Sequence, residues 1–356
     1  MRVYNFGAGP SALPYEVLKS IEKELLDFNN TGMSIMELSH RSKEFDLLYD
    51  ELILGLRTLL NIPDNYEVFF MQGGATTEFS CVALNLMKNK KADYIVSGLF
   101  SKKAQIEALK YGDARVIASS EDKNFTYIPY VTKFNIDSDY VHICFNNTVY
   151  GTTYNYIPDT GKIPLVCDMS SFILSRNIDI SKFGLIYAGC QKNMGIAGNT
   201  LVIIRKDLIG NAMKITPVML DYKVQSENKS MYNTPPVFSI YVTYKVVKYL
   251  LSIGGLDKVE EINKEKAKLL YDYLDSSKLF KGVCEKEFRS ISNVCFKTTS
   301  SDLDSKFVSF CKDKGIVGIK GHRLVGGLRA SIYNGVTLDA VHALIKAMKE
   351  FEENEI

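Results

Sequence analysis

Between residues 67 and 205 one pattern repeats, and it limits the fold more than any other feature of the chain. Seven short β-rich runs alternate with helical or loop segments: Glu67–Met71, Tyr94–Ser97, Arg115–Ser119, Val141–Phe145, Pro164–Asp168, Leu185–Gly189 and Thr200–Arg205. Most are continuously apolar and not alternating, which predicts strands covered on both faces. Strands of that kind belong to a largely parallel sheet in an α/β fold. Upstream, residues 1–15 read as irregular; two helical patterns follow, and in the second Phe45, Leu48, Leu52, Leu56 and Leu59 recur at steps of three and four. Downstream, the polar stretch Asp221 to Pro236 interrupts the pattern, and helical periodicity then runs through about 236–275 with a break at Gly254-Gly255. After 280, Ser292–Lys297 and Leu328–Tyr333 read as strands, Ser301–Lys314 and Leu338–Glu352 as helices. The expected organisation is an N-terminal segment (1–15), a large domain (16–264) and a smaller α+β domain (265–356).

Charge and cysteine usage exclude several classes. Lys+Arg is 43 against 41 Asp+Glu, so bulk charge gives no footprint for nucleic acid. The seven cysteines are never closer than eleven residues, so there is no paired metal or redox motif, and reduced thiols in a cytoplasmic protein are expected. No metal site is expected. Neither a signal core nor an apolar run of the ~20 residues needed for a membrane span is present.

One motif misleads. Gly7-Ala8-Gly9-Pro10-Ser11-Ala12 matches the dinucleotide fingerprint, but too few residues precede it for a strand, and Pro10 and Pro14 disturb the turn. A tight N-terminal loop that lets backbone approach a ligand is the better reading.

Three other segments carry chemistry. Gln72-Gly73-Gly74-Ala75-Thr76-Thr77 follows a strand and opens a helix marked by Phe79, Val82, Ala83, Leu86 and Met87. Free N–H groups and the helix dipole there favour a phosphate; the alternative is an ordinary turn with a threonine cap. Asp168 ends an apolar strand, where open α/β sheets bind ligands, or else caps a turn. Lys192 follows the strand Leu185–Ala188 in a short loop, either on the surface or aimed into the cleft. Together an anion cradle, a strand-end carboxylate and a strand-end lysine suit pyridoxal phosphate: the phosphate needs the helix terminus, the pyridine nitrogen an acid, and the aldehyde an amine for a Schiff base. Arginine is scarce, nine residues in all, yet two of the four histidines precede one, in His40-Arg41 and His322-Arg323, and Arg329 follows close by. Arginine forks match carboxylate and phosphate oxygens, so a substrate with several negative charges is expected.

On these residues the chain resembles the phosphoserine aminotransferases, in the class V branch of fold-type I pyridoxal phosphate enzymes. The resemblance runs essentially end to end, through Asn5-Phe6-Gly7-Ala8-Gly9-Pro10, Glu37-Leu38-Ser39-His40-Arg41, Tyr187-Ala188-Gly189-Cys190-Gln191-Lys192-Asn193, Tyr232-Asn233-Thr234-Pro235-Pro236 and Lys320-Gly321-His322-Arg323. It implies a transaminase exchanging amine between glutamate and 3-phosphohydroxypyruvate in serine biosynthesis, with a related phosphorylated threonine in pyridoxine synthesis a further substrate. Lys192 would bond the cofactor aldehyde and shuttle the proton, and Asp168 would pair with the ring nitrogen. Ala75, Thr76 and Gln191 would hold the cofactor phosphate, and Thr148 would contact the ring. Asn233 and Thr234 would reach the phosphate of a neighbouring subunit in a homodimer. Arg329 would hold the α-carboxylate, while His40, Arg41, His322 and Arg323 would surround the substrate phosphate. Two departures stand out: Phe100 takes the place of the family's stacking tryptophan, and Thr76 replaces an arginine found in some members. Phenylalanine can still stack. Two rival readings are a lyase such as a cysteine desulfurase, with Cys311 as its thiol, and a non-catalytic anion-binding protein.

Overall fold

The computed structural model describes residues 2–355. β1 (Tyr4–Asn5) is followed by α1 (Tyr15–Glu24) and α2 (Lys43–Leu60). The main sheet contains β2 (Tyr66–Gln72), β3 (Lys91–Val96), β4 (Asp113–Ser119), β5 (Val141–Cys144), β6 (Leu165–Asp168), β7 (Leu185–Gly189) and β8 (Asn199–Arg205). α3 (Ala75–Leu86) and α4 (Leu99–Ala108) follow β2 and β3. The strand order is β2-β8-β7-β6-β5-β3-β4. The neighbours from β7 to β4 pair in parallel, and β8 runs antiparallel to both β2 and β7.

The apolar runs are continuous because each face of the sheet meets its own core. Leu165, Cys167, Ile186, Leu201 and Ile203 pack into one cluster with α2 and the following long helices. Their alternates Val166, Leu185, Tyr187, Val202 and Ile204 pack into another with Phe79, Val82 and Ala104 of α3 and α4. Successive side chains point to opposite faces, so both faces are largely apolar, with Asp93 and His142 as buried exceptions.

Beyond the sheet come α5 (Tyr222–Glu227), α6 (Val237–Ser252) and α7 (Gly255–Ser276). The polar stretch 221–236, read from sequence as an interruption, holds the six-residue α5, which Asp221 caps by accepting from Lys223 N–H. α6 and α7 meet at 87°, and the turn uses Gly254 and Gly255 at φ +108° and +70°, a region disfavoured for other residues. α7 then bridges two cores: Leu256 and Val259 join the first, Ala267, Leu270 and Leu274 the C-terminal one. That second core is built on β9 (Lys281–Gly282), β10 (Asn293–Lys297), α8 (Ser301–Asp313), β11 (Ile316–Val317), β12 (Leu328–Ser331) and α9 (Leu338–Glu355). β9, β10 and β12 form an antiparallel sheet, and β1 pairs in parallel with β11, so Phe6 of the N-terminal segment is buried in this core. No single helix is long and apolar enough to cross a membrane among the described residues.

Candidate active site

The topology brings the carboxyl ends of β2, β3, β5, β6 and β7 to one edge of the sheet. Register fixes their order: Cys144 lies opposite Asp168, and Asp168 opposite Tyr187. Asp168 ends β6, and the loops and helix starts beyond these strands carry Gly73-Gly74, Phe100, Thr148 and Lys192.

Lys192 is held from both sides. Its Nζ donates to Thr148 Oγ1 at 2.8 Å and stands 5.1 Å from the centroid of the Phe100 ring. Behind it lies the N-terminal glycine loop. Ser11 N–H donates to the Gln191 carbonyl at 3.0 Å, and Ser11 Oγ donates to the carbonyl of Lys192. Gly9 adopts φ +154°, a conformation other residues rarely take, and its Cβ position lies 3.4 Å from Lys192 Cγ, so the loop packs directly on the lysine. Residues 7–12 therefore back the lysine and do not open a helix, in keeping with the rejection of the dinucleotide motif. Burial pulls the Lys192 amine below the ordinary lysine range, Asp168 and Cys144 oppose that, and Arg329 reinforces it.

Asp168 is buried, and Oδ1 accepts from Ser170 N–H at 2.9 Å. The turn-cap reading is thus true of one oxygen. Ser170 Oγ in turn accepts from Gly189 N–H at 3.0 Å and ties the Asp168 turn to the Lys192 strand.

At the α3 terminus the threonine cap is not found. The N-cap is Gly74, with no side-chain cap and open space where its Cβ would be. Uncapped leading N–H groups at a helix start suit an anion. Gln191 follows β7 beside this edge, and Gln72 anchors the 233–234 segment: its Nε2 donates to the Thr234 carbonyl at 3.1 Å and to Asn233 Oδ1. Asn233 and Thr234 themselves are exposed.

Arg329 crosses from β12 to the large sheet and donates from Nη1 to the Thr148 carbonyl at 3.1 Å. Its Nε is buried with no partner. A cleft of about 650 Å³ between Thr126 and Val149 on one side and Gly321, Leu324 and Gly327 on the other ends on Arg329. Burial, and after it the charges of Arg329, Arg323 and Lys103, hold the His322 imidazole below the usual range. His40 is held low by burial and by Arg41, and no hydrogen bond among the described residues joins either to the Arg329 cluster. Within the chain, then, His322 feels the charges of Arg323 and Arg329, and His40-Arg41 stand apart.

The sequence did not point to Tyr333, whose hydroxyl donates to the Ala8 carbonyl at 3.2 Å and bonds Asn293 Nδ2 at 3.1 Å, nor to Ser11, Ser170 and Lys103. Only Lys103 carried a usable signal, as the residue one helical turn after Phe100. Cys311, the thiol of the lyase alternative, is buried in the C-terminal core and pushed up to about 12 by burial, so it offers no reactive thiolate.

These residues fit pyridoxal phosphate. An uncapped helix terminus, an aromatic face beside a lysine amine, a strand-end carboxylate and a buried guanidinium Nε without an acceptor match its phosphate, ring, aldehyde and bound amino acid.

The comparisons agree. Residues 3–344 match the family model "Aminotransferase class-V". The chain is 54% identical over 354 residues to the phosphoserine aminotransferase of Bacillus cereus, covering 99% of this chain and 98% of that one. Among solved structures it is similar to the phosphoserine aminotransferase from Bacillus circulans subsp. alkalophilus (TM-score 0.98, 43% identity, 100% and 99% covered). It is also similar to that from Trichomonas vaginalis with pyridoxal phosphate bound (TM-score 0.93, 39% identity, 98% and 100% covered).

Proposed function

The chain belongs to the class V aminotransferase family, and from that premise we infer how its own residues carry phosphoserine transamination. The reaction moves the amine of glutamate to 3-phosphohydroxypyruvate, giving O-phospho-L-serine and 2-oxoglutarate, a step of serine biosynthesis. Pyridoxal phosphate, when bound, supplies the electron sink for charge that develops at the substrate Cα. The remaining tasks fall to the protein. The leading N–H groups of α3, with Ala75, Thr76 and Gln191, bind the cofactor phosphate. Phe100 would stack on the ring, Thr148 would contact it, and Asp168 would pair with its nitrogen. Lys192 takes up the proton at the substrate Cα, a role for which its buried, lowered amine is suited. Arg329 grips the α-carboxylate, while His322 and Arg323 face the distal anion.

One observation carries this reading. Lys192 Nζ and Arg329 Nη1 are anchored to the hydroxyl and carbonyl of the same residue, Thr148, at 2.8 and 3.1 Å. That brings an amine and a carboxylate-binding fork to the same residue, as a substrate carrying both an amine and a carboxylate requires.

We further propose a homodimer in which His40, Arg41, Asn233 and Thr234 complete the site of the second copy. Arg41, Asn233 and Thr234 are exposed, and His40 Nε2 is buried without a partner. The same distal pocket suits 4-phosphohydroxy-L-threonine. Seven unpaired cysteines favour a cytoplasmic setting. The change of core within α7 supports the division into 16–264 and 265–356, although Phe6 ties the 1–15 segment to the smaller unit.

The test is visible absorption of the cofactor-loaded protein during titration with O-phosphoserine, with serine as control. A yellow band that bleaches with phosphoserine alone is expected. A yellow protein indifferent to phosphoserine refutes the substrate, and a protein that takes up no cofactor refutes the whole reading. Mixing a Lys192→Ala chain with an Asn233→Ala chain tests the shared site: activity should reappear in the mixture, and persistent inactivity would contradict the homodimer.

A further inference from the structure

Two lysines face one aromatic ring. Lys192 Nζ lies 5.1 Å from the Phe100 centroid, and Lys103 Nζ, one turn along α4 from Phe100, lies 5.9 Å from it. These distances cap the separation of the two amines at about 11 Å.

Lys103 is exposed, and no carboxylate lies within 4 Å of it among the described residues. Its neighbour Lys102, on the same turn, is paired with Glu121 at 2.6 Å. The charges that act on His322 are Arg329, Arg323 and Lys103, all cationic. Like charges gathered without a counter-ion repel one another, and a ligand carrying close to two negative charges relieves that. The α3 turn contributes no cation of its own, since its side chains are Ala75, Thr76 and Thr77.

We propose that Lys103 is a further substrate-binding residue, whose ammonium contacts the distal anion of the substrate and makes phosphorylated amino acids preferred. The proposal rests on the phosphoserine reading above. A charge-assisted hydrogen bond to phosphate corresponds to roughly a tenfold to hundredfold change in dissociation constant.

The experiment uses the cofactor-loaded enzyme as wild type, Lys103→Met, Lys103→Arg and, as neighbour control, Lys102→Met. The readouts are the dissociation constant for O-phosphoserine from the absorption change, KM and kcat separately, and competitive inhibition by inorganic phosphate. Lys103→Met is expected to weaken phosphoserine and inorganic phosphate by about tenfold or more with kcat within a few-fold. Lys103→Arg should recover most of the loss, and Lys102→Met should match wild type. Equal constants for wild type and Lys103→Met overturn the proposal, as does an equal loss in Lys102→Met, which would mean a general surface field. If the wild type itself ignores phosphoserine, the substrate reading has failed; Lys103 is then judged by the inorganic phosphate arm, where an unchanged inhibition constant overturns it.

Discussion

Glu78 offers a test of how burial sets stability in the α3 region. It lies in the first turn of α3, fully buried. Oε2 accepts from the Tyr222 hydroxyl at 2.7 Å, and Oε1 has no partner. Burial raises its pKa from 4.5 to about 7, and the Tyr222 hydrogen bond offsets only part of that. The helix terminus also favours the carboxylate, but by roughly 0.3–1 kcal/mol, too little to reverse the effect. In the folded protein Glu78 keeps its proton up to about pH 7, while in the unfolded chain it loses it near 4.5. The stability linked to that proton is therefore whole below 4.5 and lost as pH rises through about 7. At 1.36 kcal/mol per pH unit the span corresponds to about 3 kcal/mol. Glu78→Gln keeps a neutral acceptor for Tyr222 at every pH. The two proteins should be of similar stability near pH 5, and by about pH 8 the glutamine variant should be more stable by about 3 kcal/mol. Urea unfolding followed by far-ultraviolet circular dichroism, on both proteins with the cofactor stripped, measures the difference; the other titrating groups are common to both and cancel. A difference that stays flat from pH 5 to pH 8, or that favours wild type as pH rises, would refute the reasoning.

Three further outcomes are expected. Gly98→Ala needs no unusual backbone, yet its Cβ would lie 2.3 Å from Asn147 Oδ1, against a side chain bonded to Thr152 at 3.0 Å; a loss of about 1–3 kcal/mol is expected, and an unchanged melting temperature would contradict it. Lys266→Met removes the donor to the carbonyls of Ile332, Tyr333 and Val336, all within 3.0 Å of a buried amine. The Ile332 and Val336 carbonyls lose this donor while the Tyr333 carbonyl keeps the Val336 N–H, so a cost of about 2 kcal/mol or more is expected; hydrogen exchange at residues 332–336 should rise, and protection equal to wild type would sink the idea. Phe100→Ala removes the aromatic face beside Lys192; cofactor retention on dialysis should fall about tenfold, and Phe100→Trp should retain it with a shifted spectrum. Equal retention by Phe100→Ala would show that the ring does not stack.

Most of the fold was legible because each strand is short, apolar and bounded by polar turns. β7 was read to its observed limits, and the other main strands to within three residues. The direction of β8 was not legible. A strand buried on both faces is apolar whichever way it runs, so Asn199–Arg205 reads the same parallel or antiparallel. α5 escaped for a different reason: six residues are too few to show a helical period, and only the Asp221 cap marks it.

The site divides along the same line. Residue type and position at a strand end determined that Asp168 and Lys192 belong to one edge of a parallel sheet, since open sheets collect their carboxyl ends there. Sequence also marked the scarce arginines as candidates for anion binding, through two His-Arg pairs and Arg329. Only the tertiary structure decided that Arg329 reaches Thr148 across 181 positions, that Gly9 and Ser11 close on Lys192 from the far N-terminus, and that Lys103 shares a ring with Lys192. Local sequence encodes periodicity and turn chemistry, which act over a few residues. Contacts between loops on different elements follow from how layers stack and which cores the bridging helix α7 joins, and no short-range pattern records them.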